Sequence, residues 1–118
     1  MPPESRPMTR EELVRKLDAL FREMPSDADL ADWRGRIDTV DELVLALLNI
    51  RSVSANEIGR LKKERNIPVY VPKREEEVLN HVMSVNPGPL PDTAIRRLFE
   101  RIIDETRSLE RRNYQEEE

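Results

Sequence analysis

The sequence predicts an all-α fold organised around one very long helix, and three observations point there. Between residues 32 and 65 apolar side chains recur at helical spacing: Ile37, Val40, Val44, Leu48, Ala55 and Ile58. Charged residues make up 37% of the 118 residues and aromatics 4%, a composition of long solvated helices rather than of a sandwich or barrel. The periodicity is also too regular for a charge-rich disordered chain.

The elements follow in order. Residues 1–8 carry three prolines and are expected to be loose. Thr9 suits a helix N-cap, and Glu12 three residues later completes a capping box. Leu13, Leu17, Leu20, Phe21 and Met24 then share one face of a helix of about four turns, which Pro25-Ser26-Asp27 stops. After a short linker, Asp29 or Asp32 can cap the long helix, expected over about 32–65. Gly35 and Gly59 inside it each carry a modest propensity cost, and Gly59 leaves room for a close neighbour. Asn66-Ile67-Pro68 ends it. Val69-Tyr70-Val71 reads as a short extended link, a poor strand between two prolines. Pro72 opens a helix over roughly 72–85, with Val78, Leu79, Val82 and Val85 on one face. Asn86-Pro87-Gly88-Pro89 is a turn. A last helix runs from Pro91-Asp92 to about Asn113 with Ile95, Leu98, Phe99, Ile102, Ile103, Thr106, Leu109 and Glu110 on its face, and Glu116–Glu118 form a frayed tail.

Thirty-four helical residues span about 50 Å, whereas a compact domain of this size has a radius of gyration of ~13 Å. So little remaining chain cannot cover such a helix, and a second copy is the expected partner. Net charge is −4 with both signs interspersed, which argues against a nucleic-acid binder. There is no cysteine and no run of membrane-spanning length, so a cytoplasmic chain without disulfides or membrane contact is expected.

Polar residues interrupt the apolar stripes. Arg51 and Lys62 continue the long helix's stripe, eleven residues and roughly 16 Å apart on one face. A buried cation without a counter-charge costs several kcal/mol, so two of them without an acid on that stripe suggest a site for an anion. Arg74 and Glu75 stand at the start of the next helix, and Thr106 and Glu110 share a face of the last. Singly, each is more simply a snorkelling or solvated side chain; the set on three helices is not. His81, the only histidine, reads as a surface residue, and no acids cluster with it. No Gly-rich phosphate loop, Ser/His/Asp set or cysteine nucleophile is present. The chemistry is therefore expected to need no metal, no cofactor and no covalent intermediate. Fixed cations would bind an anion and stabilise developing negative charge.

WRGRID, ALLNIR ending at Arg51, EIGRLK ending at Lys62, PVYVPKRE and LFERIIDETRSLE together resemble the all-helical, AroQ-class chorismate mutases over about residues 32–112. The resemblance implies a three-helix chain in an intertwined homodimer that rearranges chorismate to prephenate in phenylalanine and tyrosine biosynthesis. Residues 32–118 would form that domain, and 1–31 an N-terminal extension with one amphipathic helix.

The resemblance also implies roles. Arg34 would reach a substrate carboxylate in the partner's site and Arg51 one in its own. Lys62 would bond the ether oxygen and a carboxylate. Arg74 would give electrostatic support, and Glu75 would accept the ring hydroxyl's hydrogen bond. Thr106 would help a carboxylate, and Glu110 would contact the ether oxygen. Geometry agrees on Arg34: it lies seventeen residues from Arg51, roughly 25 Å along a straight helix and about 100° round it. It cannot touch the same small ligand within one chain. Two features depart from the family. Val71 stands where some members carry an acid, so only its backbone is offered there and Glu75 inherits the contact. Residues 1–31 lie outside the resemblance and would pack on the dimer or dock another pathway enzyme. Isochorismate-pyruvate lyase, of the same fold, and a non-enzymatic helical dimerisation module are the alternatives.

Overall fold

The computed structural model describes residues 8–68 and 70–116, with side chains through residue 112. Among the described residues four helices follow in order: α1 (Arg10–Leu20), α2 (Leu30–Glu64), α3 (Pro72–Ser84) and α4 (Asp92–Glu116). No strand occurs among the described residues. The expectations for residues 1–7, for Val69, and for Glu117 and Glu118 in the tail lie outside them. The chain divides into two compact units, Met1–Arg51 and Ser52–Glu118.

The first unit holds α1 and the beginning of α2. Thr9 Oγ1 accepts the Glu12 N–H at 3.1 Å, satisfying one of the helix's orphan donors. At the head of α2 the two aspartates cap reciprocally: Asp29 Oδ1 accepts the Asp32 N–H at 2.9 Å, and Asp32 Oδ2 accepts the Asp29 N–H at 3.0 Å. α1 stops at Leu20, a turn short of the expected Met24. The reason is non-local. Arg36 of α2 donates to the Leu20 carbonyl at 2.6 Å and to the Arg22 carbonyl at 3.2 Å. These are the acceptors a helix end leaves unpaired. The Phe21 and Arg22 N–H groups close three-residue turns instead, onto Asp18 and Ala19. Pro25 further disfavours a helical Met24. A Lys16–Glu42 ion pair gives a second tie between the helices.

The second unit holds the end of α2 and all of α3 and α4. α2 finishes as Asn66 turns left-handed (φ 56°) and the Ile67 N–H returns to the Lys62 carbonyl at 2.8 Å. Pro72 opens α3, where it costs no hydrogen bond. α3 packs on α4 with Leu79 buried. Arg96 grips Glu76 with both terminal nitrogens, at 3.2 and 3.1 Å, and that bond raises its guanidinium above the ordinary arginine value. In the connecting turn Asn86 donates to the Leu90 carbonyl and to Asp92 Oδ1, while Gly88 takes a left-handed φ of 77° that suits glycine.

Among the described residues few side chains are buried: Leu43, Leu79 and Thr106. On α2, Leu45, Leu47 and Ile50 point in three different directions, and each is more than half exposed. The expected stripe is also exposed at Ile37, Val40, Val44 and Ile58, though less so at Val40 and Val44, while Leu48 and Ala55 are half-buried. No helix among the described residues is long and apolar enough to cross a membrane.

Candidate active site

Six of the eight residues singled out in the sequence lie in the second unit. Lys62 sits half-buried in the last turn of α2, beside Lys63. The helix dipole makes that end electronegative, which favours cations. One turn earlier Gly59 is buried, and the room it leaves is filled by Glu110 of α4. A Cβ on Gly59 would lie 3.6 Å from Glu110 Cγ and 3.8 Å from Glu110 Oε2. The glycine thus lets α4's acid lie against α2, one turn from the Lys62 position.

Thr106 precedes Glu110 by one turn of α4 and is the one buried polar residue among those described. Its hydroxyl donates to the Ile102 carbonyl at 2.8 Å. Glu75, in the first turn of α3, is half-buried; its Oε1 accepts from Arg107 Nη1 at 2.5 Å. Val71 is the N-cap of α3 and offers no capping side chain. Its carbonyl accepts from the Arg74 and Glu75 N–H groups at 3.0 and 3.3 Å, which leaves its N–H as the group to offer a ligand.

The structure does not bring Arg74 into this group. Its side chain is 70% exposed and lies 3.6 Å from Glu77. Arg34 and Arg51 belong to the first unit, Arg34 exposed and Arg51 half-buried. His81 is exposed near the end of α3. An open hollow along α1, lined by Arg10, Glu11, Val14, Arg15, Asp18 and Arg22, contains none of the singled-out residues.

Arg107 was not singled out. It stands between Thr106 and Glu110 in a run of charges, and its partner on α3 is 32 residues away. The one local signal was its place beside Thr106 on the face that turns toward α3. In chemical terms, the second unit offers a cation on α2, a carboxyl and a hydroxyl on α4, and a carboxylate on α3. Such a set can donate a hydrogen bond from the Lys62 ammonium to an oxygen that gains charge and accept one from a hydroxyl at Glu75.

Comparison with known proteins adds to this geometry. A family model described as chorismate mutase type II matches residues 33–111. The bifunctional chorismate mutase/prephenate dehydratase of Neisseria gonorrhoeae is 42% identical over 85 residues, covering 72% of this chain and 23% of that protein. The chorismate mutase of Methanocaldococcus jannaschii is 25% identical over 88 residues, covering 74% of this chain and 89% of that one. Among solved structures, form II of the chorismate mutase from Thermus thermophilus is similar with a TM-score of 0.69 and 43% identity, covering 70% of this chain and 94% of that one. The chain spans about a quarter of the length of the bifunctional relatives.

Proposed function

This chain belongs to the chorismate mutase type II family, and from that premise we propose that it converts chorismate to prephenate. The reaction is unimolecular: the ether C–O bond breaks as a C–C bond forms, and no group leaves. The protein has two tasks. It must hold the compact diaxial conformer, a near-attack effect, and it must stabilise negative charge growing on the ether oxygen.

We assign the second task to Lys62 and Glu110. Lys62 donates from its ammonium. Glu110 donates only as the carboxylic acid, because a carboxylate has no hydrogen to give. Glu75 accepts from the ring hydroxyl, with the Val71 N–H beside it. Arg51 and Thr106 take the carboxylates, together with Arg34 from a second copy of the chain. Arg74 acts through its charge, and its exposed position fits long-range support better than contact. The observation that carries the reading is the Glu110 side chain laid on Gly59, one turn from Lys62.

The second copy is supported by α2 itself. A helix stretch apolar on nearly all sides, as from Leu43 to Ile50, belongs in an interior. Burying what remains exposed of Leu45, Leu47 and Ile50 would contribute about 1–2 kcal/mol each. For residues 1–31, which precede the family match, we propose docking to the dimer or to another pathway enzyme. Phe21, 82% exposed, and Val14 and Leu17 are the side chains available for it.

The test is product identity. Chorismate should yield prephenate. Salicylate and pyruvate from isochorismate, without prephenate from chorismate, would replace this reading with the lyase. Turnover of neither would favour a dimerisation module.

A further inference from the structure

We infer that Arg107 is a positioning residue for substrate recognition, holding the Glu75 carboxylate and the Tyr70–Val71 entry to α3 in place. The inference rests on the assignment of Glu75 to the substrate's ring hydroxyl.

Arg107 makes three contacts at once. Nη1 donates to Glu75 Oε1 at 2.5 Å, and Nη2 donates to Asp104 Oδ1 at 2.8 Å. The guanidinium carbon lies 4.8 Å from the centroid of the Tyr70 ring. Asp104, one turn back on the same helix, fixes the plane of the guanidinium. That plane then fixes Glu75. A planar fork can do both, whereas an ammonium holds one partner as a point charge. The pair is also sheltered. The Arg107 and Glu75 side chains are 25% and 27% exposed, against 76% and 63% for Arg101 and Glu105. Exposed pairs of the latter kind contribute little. The Arg107–Glu75 pair crosses from α4 to the first turn of α3.

That first turn needs an outside anchor. The N-cap residue, Val71, has no side-chain cap bond. Tyr70, immediately before it, is held by Arg107. Glu75 is held by one oxygen only. Its Oε2 bonds to no described residue and keeps its lone pairs for an incoming O–H. With Oε1 fixed, the direction of that acceptor is fixed. Without Arg107, Glu75 regains rotamer freedom and can turn to solvent. The chain then keeps its carboxylate but loses the place from which it meets the hydroxyl.

The test is a double-mutant cycle on the full chain, reading kcat and KM with chorismate alongside the melting temperature. Arg107→Met keeps an apolar stem over Tyr70 and removes the fork. It should lower kcat/KM by about tenfold or more, and Arg107→Lys should recover part of that loss. In a Glu75→Ala background, Arg107→Met should cost under about twofold, because coupled residues are not additive. Equal losses in both backgrounds, or losses that track the melting temperature, would overturn the inference. If Arg107→Met does not fold, the same cycle with Arg107→Lys decides, by the same criterion of dependence on Glu75. If Glu75→Ala alone leaves kcat/KM unchanged, the assignment of Glu75 fails and Arg107's role fails with it. An active wild type with a strong Glu75→Ala effect and additive losses rejects Arg107 alone. A wild type that yields no prephenate rejects the mutase reading itself, and the positioning role with it.

Discussion

Gly59 gives a graded test of where Glu110 lies. A methyl group there would sit 3.6 Å from Glu110 Cγ, 3.8 Å from Glu110 Cβ and 3.8 Å from Oε2. Those are ordinary contact distances between heavy atoms, so Gly59→Ala fits without moving Glu110. The helix then gains the alanine propensity, about 0.8–1 kcal/mol. For a chain of this length that is roughly 3–6 °C in Tm, measured at fixed protein concentration. Activity should stay close to wild type. Gly59→Leu is different. The next carbon reaches about 1.5 Å further, and a Cγ aimed at α4 would come within roughly 2 Å of Glu110 unless the acid swings away. Displacing a group that donates to the reacting oxygen should cost about 10²-fold in kcat/KM. Thermal unfolding followed by circular dichroism and steady-state prephenate formation read the two effects separately. A fully active Gly59→Leu variant would refute the placement of Glu110 in the site. A Gly59→Ala variant that loses more than about 1 kcal/mol would show a closer neighbour than Glu110 Cγ at 3.6 Å.

Other consequences concern single side chains. Lys62→Ala should lower kcat/KM by at least about 10²-fold, roughly 3 kcal/mol of transition-state stabilisation, and remain folded; an unfolded variant would make Lys62 structural. Wild-type kcat/KM should fall as rising pH ionises Glu110, whereas Glu110→Gln, with a permanent N–H donor, should flatten the profile and keep activity at high pH. Superimposable profiles would remove Glu110 from the ether oxygen. Arg36→Met removes two charge-assisted bonds to the Leu20 and Arg22 carbonyls and should loosen α1 by about 1–2 kcal/mol. Faster proteolysis between residues 20 and 30 with kcat/KM unchanged would show it, and an unchanged cleavage rate would contradict it.

Local chemistry made much of the fold legible. Asp29, Asp32, Thr9 and Pro72 act within a turn of their own positions, so their capping roles follow from sequence. The 3.6-residue period placed α2 to within two residues at each end. Gly59 was readable as a gap, and Glu110 as the polar end of a stripe, but not that one fills the other. That pairing joins residues 51 positions apart and exists only once α4 has returned to α2. Arg36 and Arg107 were invisible for the same reason. Each is one of many arginines in a charge-rich chain, and each holds at least one partner 14 to 32 residues away. The end of α1 was misplaced because Phe21 and Met24 continue its apolar pattern, while the acceptors that stop it are satisfied from α2. Arg74 shows the converse: its place in the motif is clear, yet its side chain points to solvent beside Glu77.

The central proposal is a mutase site completed by two copies of this chain, and subunit mixing tests it most directly. Arg34→Ala and Arg51→Ala chains should each be nearly inactive toward chorismate. Mixed in equal amounts and allowed to exchange, half the dimers pair one of each. In every such dimer one site receives both intact arginines, so about a quarter of wild-type activity should return. Prephenate formation at that level would support the shared site. No recovery, after exchange has been verified by mass with one of the two chains isotope-labelled, would contradict it.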